Sequence, residues 1–158
     1  MIRAATASDA QAVAAIWNDA ILNSTVTFNP DAKSVVEVAD VIARTTPCLV
    51  SVVDGRVTGF ARYFQFRGGA GYAQTAELTV MVAKGFRGMG TGRALVSALC
   101  DRALADGMHS IIAGCSAENP TAVKFHTQLG FQQLAVLPQV GFKFGRWIDL
   151  VLMQKMLR

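Results

Sequence analysis

Apolar positions change period several times along the chain, and each change predicts a different element. Val13, Ile16, Trp17 and Ala20 recur at helical spacing behind Ser8 and Gln11, which read as a capping box. Ser34 with Glu37 repeats that signature ahead of Val38, Val41 and Ile42, and Pro47 closes the segment. Between these helices Ser24-Thr25-Val26-Thr27-Phe28-Asn29-Pro30 is a polar loop holding one large aromatic. Ile2–Ala4 is a candidate edge strand, and Cys48–Val53 and Val57–Phe66 flank Asp54-Gly55 as a predicted hairpin. Gly68–Gly71 is a flexible connection to a strand expected from Tyr72 to Val82. The helix expected over Thr91–Asp106 carries Leu95, Leu99 and Ala103 on one stripe and stops at Gly107. Ile111–Cys115 reads as a short buried strand, and Asn119-Pro120 opens a helix that Gly130 ends. Phe131–Leu137 and Trp147–Met153 read as closing strands around a loop from Pro138 to Gly145. The order predicts one α/β domain over residues 1–158, with meander strands first and strand–helix crossovers after.

Composition narrows the class without naming it. With 52% hydrophobic and 16% charged residues, 158 residues suffice for a buried core and exclude a disordered chain. No apolar run approaches the roughly 18 residues of a membrane span. Met1–Thr6 shows no secretory h-region, so a cytoplasmic protein is expected. Cys48, Cys100 and Cys115 are widely spaced and read as reduced thiols; with His109 and His126 they form no metal-ligand pattern. The net charge of +4 suits a small anionic ligand, and the scattered basic residues argue against nucleic acid. Lys84, Arg87 and Arg93 alone are concentrated, around a glycine-rich turn.

That turn, Arg87-Gly-Met-Gly-Thr-Gly92, follows a strand and opens a helix, an arrangement that brings backbone N–H groups and a helix N-terminus against phosphate. It lacks the Gly-Lys-Ser/Thr ending of a P-loop, and the third small position of a dinucleotide fingerprint falls on Leu95. Arg-x-x-Gly-x-Gly is similar to the pyrophosphate loop of the GNAT N-acetyltransferase superfamily, which binds acetyl-CoA. Asn119-Pro-Thr-Ala-Val-Lys-Phe-His126-Thr-Gln-Leu-Gly130-Phe131 resembles the same family's Asn-x-x-Ala/Ser-x-x-x-Tyr-x-x-x-Gly-Phe helix, with His126 at the usual tyrosine position. Ser24–Phe28, Thr75–Val80, His126 and Val140–Asp149 further resemble the phosphinothricin and methionine-sulfoximine N-acetyltransferase branch.

The resemblance implies a mixed sheet of about six to seven strands flanked by about four helices. It also implies acetyl transfer from acetyl-CoA to the α-amine of a small amino-acid analogue, without metal, in a homodimer whose sites lie near the subunit contact. Glu77, on the strand face opposite Leu78 and Val80, becomes the candidate base. His126 becomes a candidate general acid or substrate contact, with a satisfied core histidine as the plain alternative. Backbone N–H groups at Met81 and Val82 are expected to meet the acetyl carbonyl and pantetheine arm. Arg87, Gly88, Gly90, Thr91, Gly92 and Arg93 are expected to hold the pyrophosphate, and Asn119 to contact the pantetheine or to cap its helix. Phe28, Arg62, Tyr63 and Lys143 are candidates for the amino-acid pocket, because a carboxylate or phosphinate calls for cations and an aromatic wall. Trp147 reads as core and Asp149 as a structural partner. An acceptor that is a protein N-terminus or a polyamine is the enzymatic alternative, and a non-catalytic acyl-CoA-binding module the other.

Overall fold

A computed structural model describes residues 1–158. Seven strands, β1 (Ile2–Ala4), β2 (Cys48–Val53), β3 (Arg56–Gln65), β4 (Thr75–Val82), β5 (Ser110–Ser116), β6 (Gln132–Lys143) and β7 (Arg146–Met156), form one mixed sheet in the order β1-β2-β3-β4-β5-β7-β6. Helices α1 (Ala10–Asn23) and α2 (Val35–Ala43) cover one face, and α3 (Thr91–Ala105) and α4 (Pro120–Gln128) the other. Only β4 and β5 run parallel, joined by the α3 crossover. No helix is long and apolar enough to cross a membrane.

Two apolar clusters hold the helices to the sheet. Leu95, Leu99 and Ala103 of α3 meet Ala76, Leu78, Ile111 and Met153 on one face. Val13, Trp17 and Ile21 of α1 meet Val38, Phe60 and Met81 on the other. The pleat of β4 therefore sends even-numbered Ala76 and Leu78 toward α3 and places Glu77, Thr79 and Met81 on the α1 face.

Local chemistry departs from the sequence expectation at three places. The first helix is entered through a 3₁₀ turn over Ala7–Asp9, where the Thr6 N–H donates to Asp9 Oδ2 at 2.8 Å; Thr6 and Asp9 act as the cap, not Ser8 and Gln11. Asp9 also takes both ends of the Arg3 guanidinium, at 2.7 and 3.0 Å, and that competing partner fixes the turn. The expected strand start at Tyr72 is a 3₁₀ turn over Ala70–Tyr72, leaving β4 to begin at Thr75. Pro138 and Gly145 do not bound a loop. Instead β6 and β7 make one long hairpin, with an irregularity between Leu137 and Gly141 that absorbs Pro138, and a tight turn at Phe144-Gly145, both at positive φ. Asp149 Oδ1 accepts the Gln139 N–H at 2.8 Å and pins that irregularity. Trp147, expected in the core, is 61% exposed on this hairpin. The Ser34–Glu37 capping box forms as predicted, with reciprocal bonds of 3.1 Å.

Candidate active site

The cleft begins where two neighbouring strands part. β4 and β5 pair only from Thr75↔Ser110 to Glu77↔Ile112, then run on separately to Val82 and Ser116. Each keeps its other neighbour: β4 stays paired with β3 through Val82↔Gly59, and β5 with β7 through Ser116↔Leu150. A cavity of about 910 Å³ fills the opening and continues over the α1 face.

Backbone alternation decides which β4 groups face the cleft. Thr75 O accepts from Phe66 and the Ala83 N–H donates to Thr58 O, so odd-numbered residues spend their peptide groups on β3. Leu78, Val80 and Val82 consequently turn theirs toward β5, which has moved away. The expected Met81 donor thus lies on the wrong side of the strand. Val82 lies on the right side, and the register adds Val80.

At the carboxyl end of β4 the glycine turn leads into α3. Gly88 and Gly90 have φ of +76° and +84°, backbone that a side chain would strain. Gly92 differs: a Cβ there would meet the Phe125 ring of α4 at 3.3 Å, a tight contact that the ring would have to yield to. Gly90 is the N-cap without any side-chain bond, and the first turn of α3 holds no acid. It holds Arg93 instead, against the preference of the helix dipole, so the free N–H groups and the positive end face an open, basic cleft. That arrangement fits a pyrophosphate. Arg87 also lines the cleft; its Nε donates to Val82 O at 3.3 Å, and Asp19 lies 3.8 Å from its guanidinium. Thr91 is outside the lining, its methyl packed toward Gly59.

Toward the other end Glu77 is the only carboxylate among the lining residues, beside the cations Lys33, Arg62, Arg87 and Arg93. Burial raises its pKa, and it has no ion pair. Across the cleft His126 is 6% exposed, wedged edge-on between Phe125 and Phe131. Its Nδ1 lies 2.8 Å from Ala122 O, which requires the proton on Nδ1. Nε2 is then a bare acceptor with no partner. Burial also lowers its pKa, so the ring is neutral near neutral pH. Asn119 lines the cleft and caps α4 at the same time, its Oδ1 accepting the Ala122 N–H at 3.2 Å. Cys115 lines the cleft too, but burial pushes its thiol up to about 11.

Of the four acceptor-pocket candidates, the structure brings two to the cleft. Phe28 and Arg62 line it. Tyr63 points to the opposite face of β3, buried in the α3 cluster with its hydroxyl donating to Asp106 at 2.6 Å. Neighbouring residues on a strand cannot share a face, and that separates it from Arg62. Lys143 is buried and spent: its Nζ donates to Ser24 O and Thr27 O, both at 2.7 Å. It therefore fixes the loop carrying Phe28 and stands outside the cleft lining. Trp17, Lys33 and Phe64 join the lining and escaped the sequence reading. Trp17 looked like any apolar helix position. Phe64, however, shares the period-two face of Arg62 and was open to the same reasoning.

The chain matches the family model described as an acetyltransferase (GNAT) domain over residues 2–152. It is 40% identical to the L-amino acid N-acyltransferase MnaT of Escherichia coli, over 97% of this chain and 91% of that one. It is 38% identical to the L-methionine sulfoximine/L-methionine sulfone acetyltransferase of Salmonella typhimurium, over 97% and 92% of the two. Among solved structures, the acetyltransferase yncA of Salmonella typhimurium, determined with its cofactor acetyl-CoA, superposes with a TM-score of 0.97 at 37% identity, covering 100% of this chain and 94% of that one. Strand splay, uncapped basic turn and full-length similarity agree, and the chain belongs to the GNAT acetyltransferase family as an N-acetyltransferase enzyme.

Proposed function

We propose that the protein acetylates the α-amino group of a small amino acid or amino-acid analogue, such as phosphinothricin or methionine sulfoximine, using acetyl-CoA. The observation that carries this reading is the pairing, in one cleft, of an uncapped basic glycine turn with a single half-buried carboxylate. Acetyl-CoA, when bound, supplies an electrophilic thioester carbonyl and a thiolate leaving group. Glu77 takes the proton that the amine must lose, and its raised pKa makes it a better base than a solvated carboxylate. The peptide N–H groups of Val80 and Val82 supply donors for a carbonyl oxygen in the parted strands. Gly88, Gly90, Gly92, Arg87 and Arg93 hold the pyrophosphate, and Asn119 shapes the wall across from β4. Phe28 and Arg62 receive the acceptor.

His126 serves in this reading as a neutral wall and hydrogen-bond acceptor; with its proton held by Ala122 it has none to give from Nε2. The thiol of Cys115 stays protonated, which favours direct transfer to the amine over an acyl-cysteine step. At the acceptor end two cations, Lys33 and Arg62, against the one acid Glu77 disfavour a polyamine acceptor.

We also infer a homodimer through the β6–β7 hairpin. β6 is an unpaired edge of the sheet, and Leu134, Val136, Val140, Phe142 and Trp147 are exposed along the hairpin. Light scattering of the wild type and of Val136→Glu reads this directly; a monomeric wild type removes the inference.

The function is tested by thiol release from acetyl-CoA over free amino acids, their sulfoximine and phosphinate analogues, polyamines and short peptides. Free amino-acid acceptors are expected to respond and to lose the response in Glu77→Gln. A response confined to peptides overturns the substrate class, and none at all favours an acyl-CoA-binding module.

A further inference from the structure

The acceptor end of the cleft contains more positive charge than an ordinary amino acid uses. Arg62 is 9% exposed, yet its guanidinium makes no hydrogen bond or ion pair with the protein. It lies 4.9 Å from the Phe64 ring centre and 5.7 Å from that of Trp17. Lys33 Nζ lies 4.7 Å from the same Trp17 ring, again without a carboxylate partner. Cys48, opposite Arg62 on β2, is no counter-ion, because burial pushes its thiol up to about 11. Arg44 is close enough to add repulsion. Aromatic faces compensate a buried cation only in part, by about 0.5–2 kcal/mol each. A guanidinium fork held this way is oriented and opens to the cleft without a protein partner, ready to donate to a planar or tetrahedral oxyanion.

Register sets the distance. Phe64 pairs directly with Glu77, and Arg62 lies two residues further along β3, about 7 Å away. An α-amine is only about 3 Å from its own carboxylate oxygens. Glu77 and Arg62 thus share one face of the sheet, and an acceptor whose amine meets Glu77 uses one of the two cations, Arg62 or Lys33, for its α-carboxylate and leaves the other for an anion on its side chain.

From this juxtaposition we propose that Arg62 and Lys33, arrayed on Trp17, form a double-anion recess. It selects acceptors whose side chain carries a phosphinate or carboxylate over neutral side chains of the same length. The inference rests on the amino-acid reading above and refines it: phosphinothricin and glutamate are preferred, methionine sulfoximine and methionine sulfone disfavoured.

The test is steady-state thiol release with phosphinothricin, glutamate, methionine sulfoximine and methionine sulfone, on wild type, Arg62→Gln, Arg62→Lys and Lys33→Met. In the wild type, kcat/KM for the anionic pair exceeds that for the neutral pair by about tenfold or more, the scale of one charge-assisted hydrogen bond. Arg62→Gln lowers the anionic-to-neutral ratio by about ten- to a hundredfold, chiefly through acceptor KM, and Arg62→Lys restores part of it. Lys33 is half-exposed and its fold contacts are backbone bonds to Asn18, so Lys33→Met gives a folded reporter even where Arg62→Gln is unstable. It is expected to raise acceptor KM for all four. If phosphinothricin responds and glutamate does not, the recess reads tetrahedral phosphinate; the reverse identifies a carboxylate. Equal or better turnover of the neutral pair, or a uniform loss in Arg62→Gln with the ratio kept, overturns the recess while leaving the amino-acid reading intact. Thiol release with none of the four overturns both.

Discussion

The Phe28 ring occupies the space above Gly141: any Cβ built at position 141 would overlap its ring carbons. This aromatic wall of the cleft, the proposed acceptor pocket, thus rests on a hairpin more than a hundred residues away, and Lys143 bonds the same loop. Gly141→Ala is expected to push Phe28 into the cleft and raise acceptor KM by about tenfold, the cost of overpacking by one methyl. The KM for acetyl-CoA stays put, which initial-rate kinetics with either substrate varied will show.

Glu77→Gln separates activity from stability. kcat/KM should fall by about a hundred- to ten-thousandfold, the range of a lost general base. In the proposed reaction Glu77 acts as an ionised base, and burial raises its pKa, so the acid limb of the pH–rate profile is expected above the ordinary carboxylate range. The variant loses that limb. Because folding favours the protonated form, ionising Glu77 removes stability as pH rises through its raised value. Glu77→Gln is accordingly expected to melt higher than wild type at neutral pH; an equal or lower melting temperature contradicts the burial argument.

Gly90→Ala tests the phosphate turn. Its added methyl meets open space, so any effect comes from backbone at φ +84°, worth about 1–2 kcal/mol. Relaxing that strain rotates the N-cap of α3. A raised acetyl-CoA KM with acceptor KM unchanged is expected, and titration calorimetry reports the same loss as weaker binding.

Asp9→Asn addresses the entry to α1. The Arg3 guanidinium, with the Thr6 N–H, holds the Asp9 carboxyl down to about 2. Such a depressed value contributes stability that is complete above the unfolded carboxylate range and is lost as pH falls toward 2. The variant should unfold about 1–2 kcal/mol more easily in urea at neutral pH. That deficit shrinks toward pH 2 and leaves the kinetic constants untouched.

How far the sequence disclosed the molecule depends on the range of the forces involved. The Ser34–Glu37 cap, the Asp54-Gly55 turn and the Arg87–Gly92 loop are local, and each forms where its residues say. Thr6 outcompeted Ser8 because Arg3, six residues before Asp9 on β1, held Asp9 in place. Lys143 looked like a ligand cation because nothing local reveals that Ser24 and Thr27 will turn their carbonyls toward it. Tyr63 was separable from Arg62 by strand alternation alone. Trp147 was assigned to the core by its type, and only the hairpin's position at the sheet edge brings it to the surface. Likewise, the parting of β4 and β5 after Glu77 leaves no mark in either strand's composition, though the whole cleft depends on it.

That parting makes the middle of the sheet a seam. Five residues of β4 and four of β5 run beyond their last mutual pair, Glu77↔Ile112, counting from Leu78 to Val82 and from Ala113 to Ser116. A sheet ordinarily loses such edges by closing them, and here a small molecule is left to do so. Whatever fills the seam binds the folded chain and not the unfolded one, so its concentration enters the folding equilibrium directly. At a hundred times its dissociation constant it adds about 2.7 kcal/mol. Supply of the co-substrate would then govern the durability of the protein as well as its turnover, and a melting temperature that fails to climb with acetyl-CoA would show that acetyl-CoA does not bind the folded chain in preference to the unfolded one.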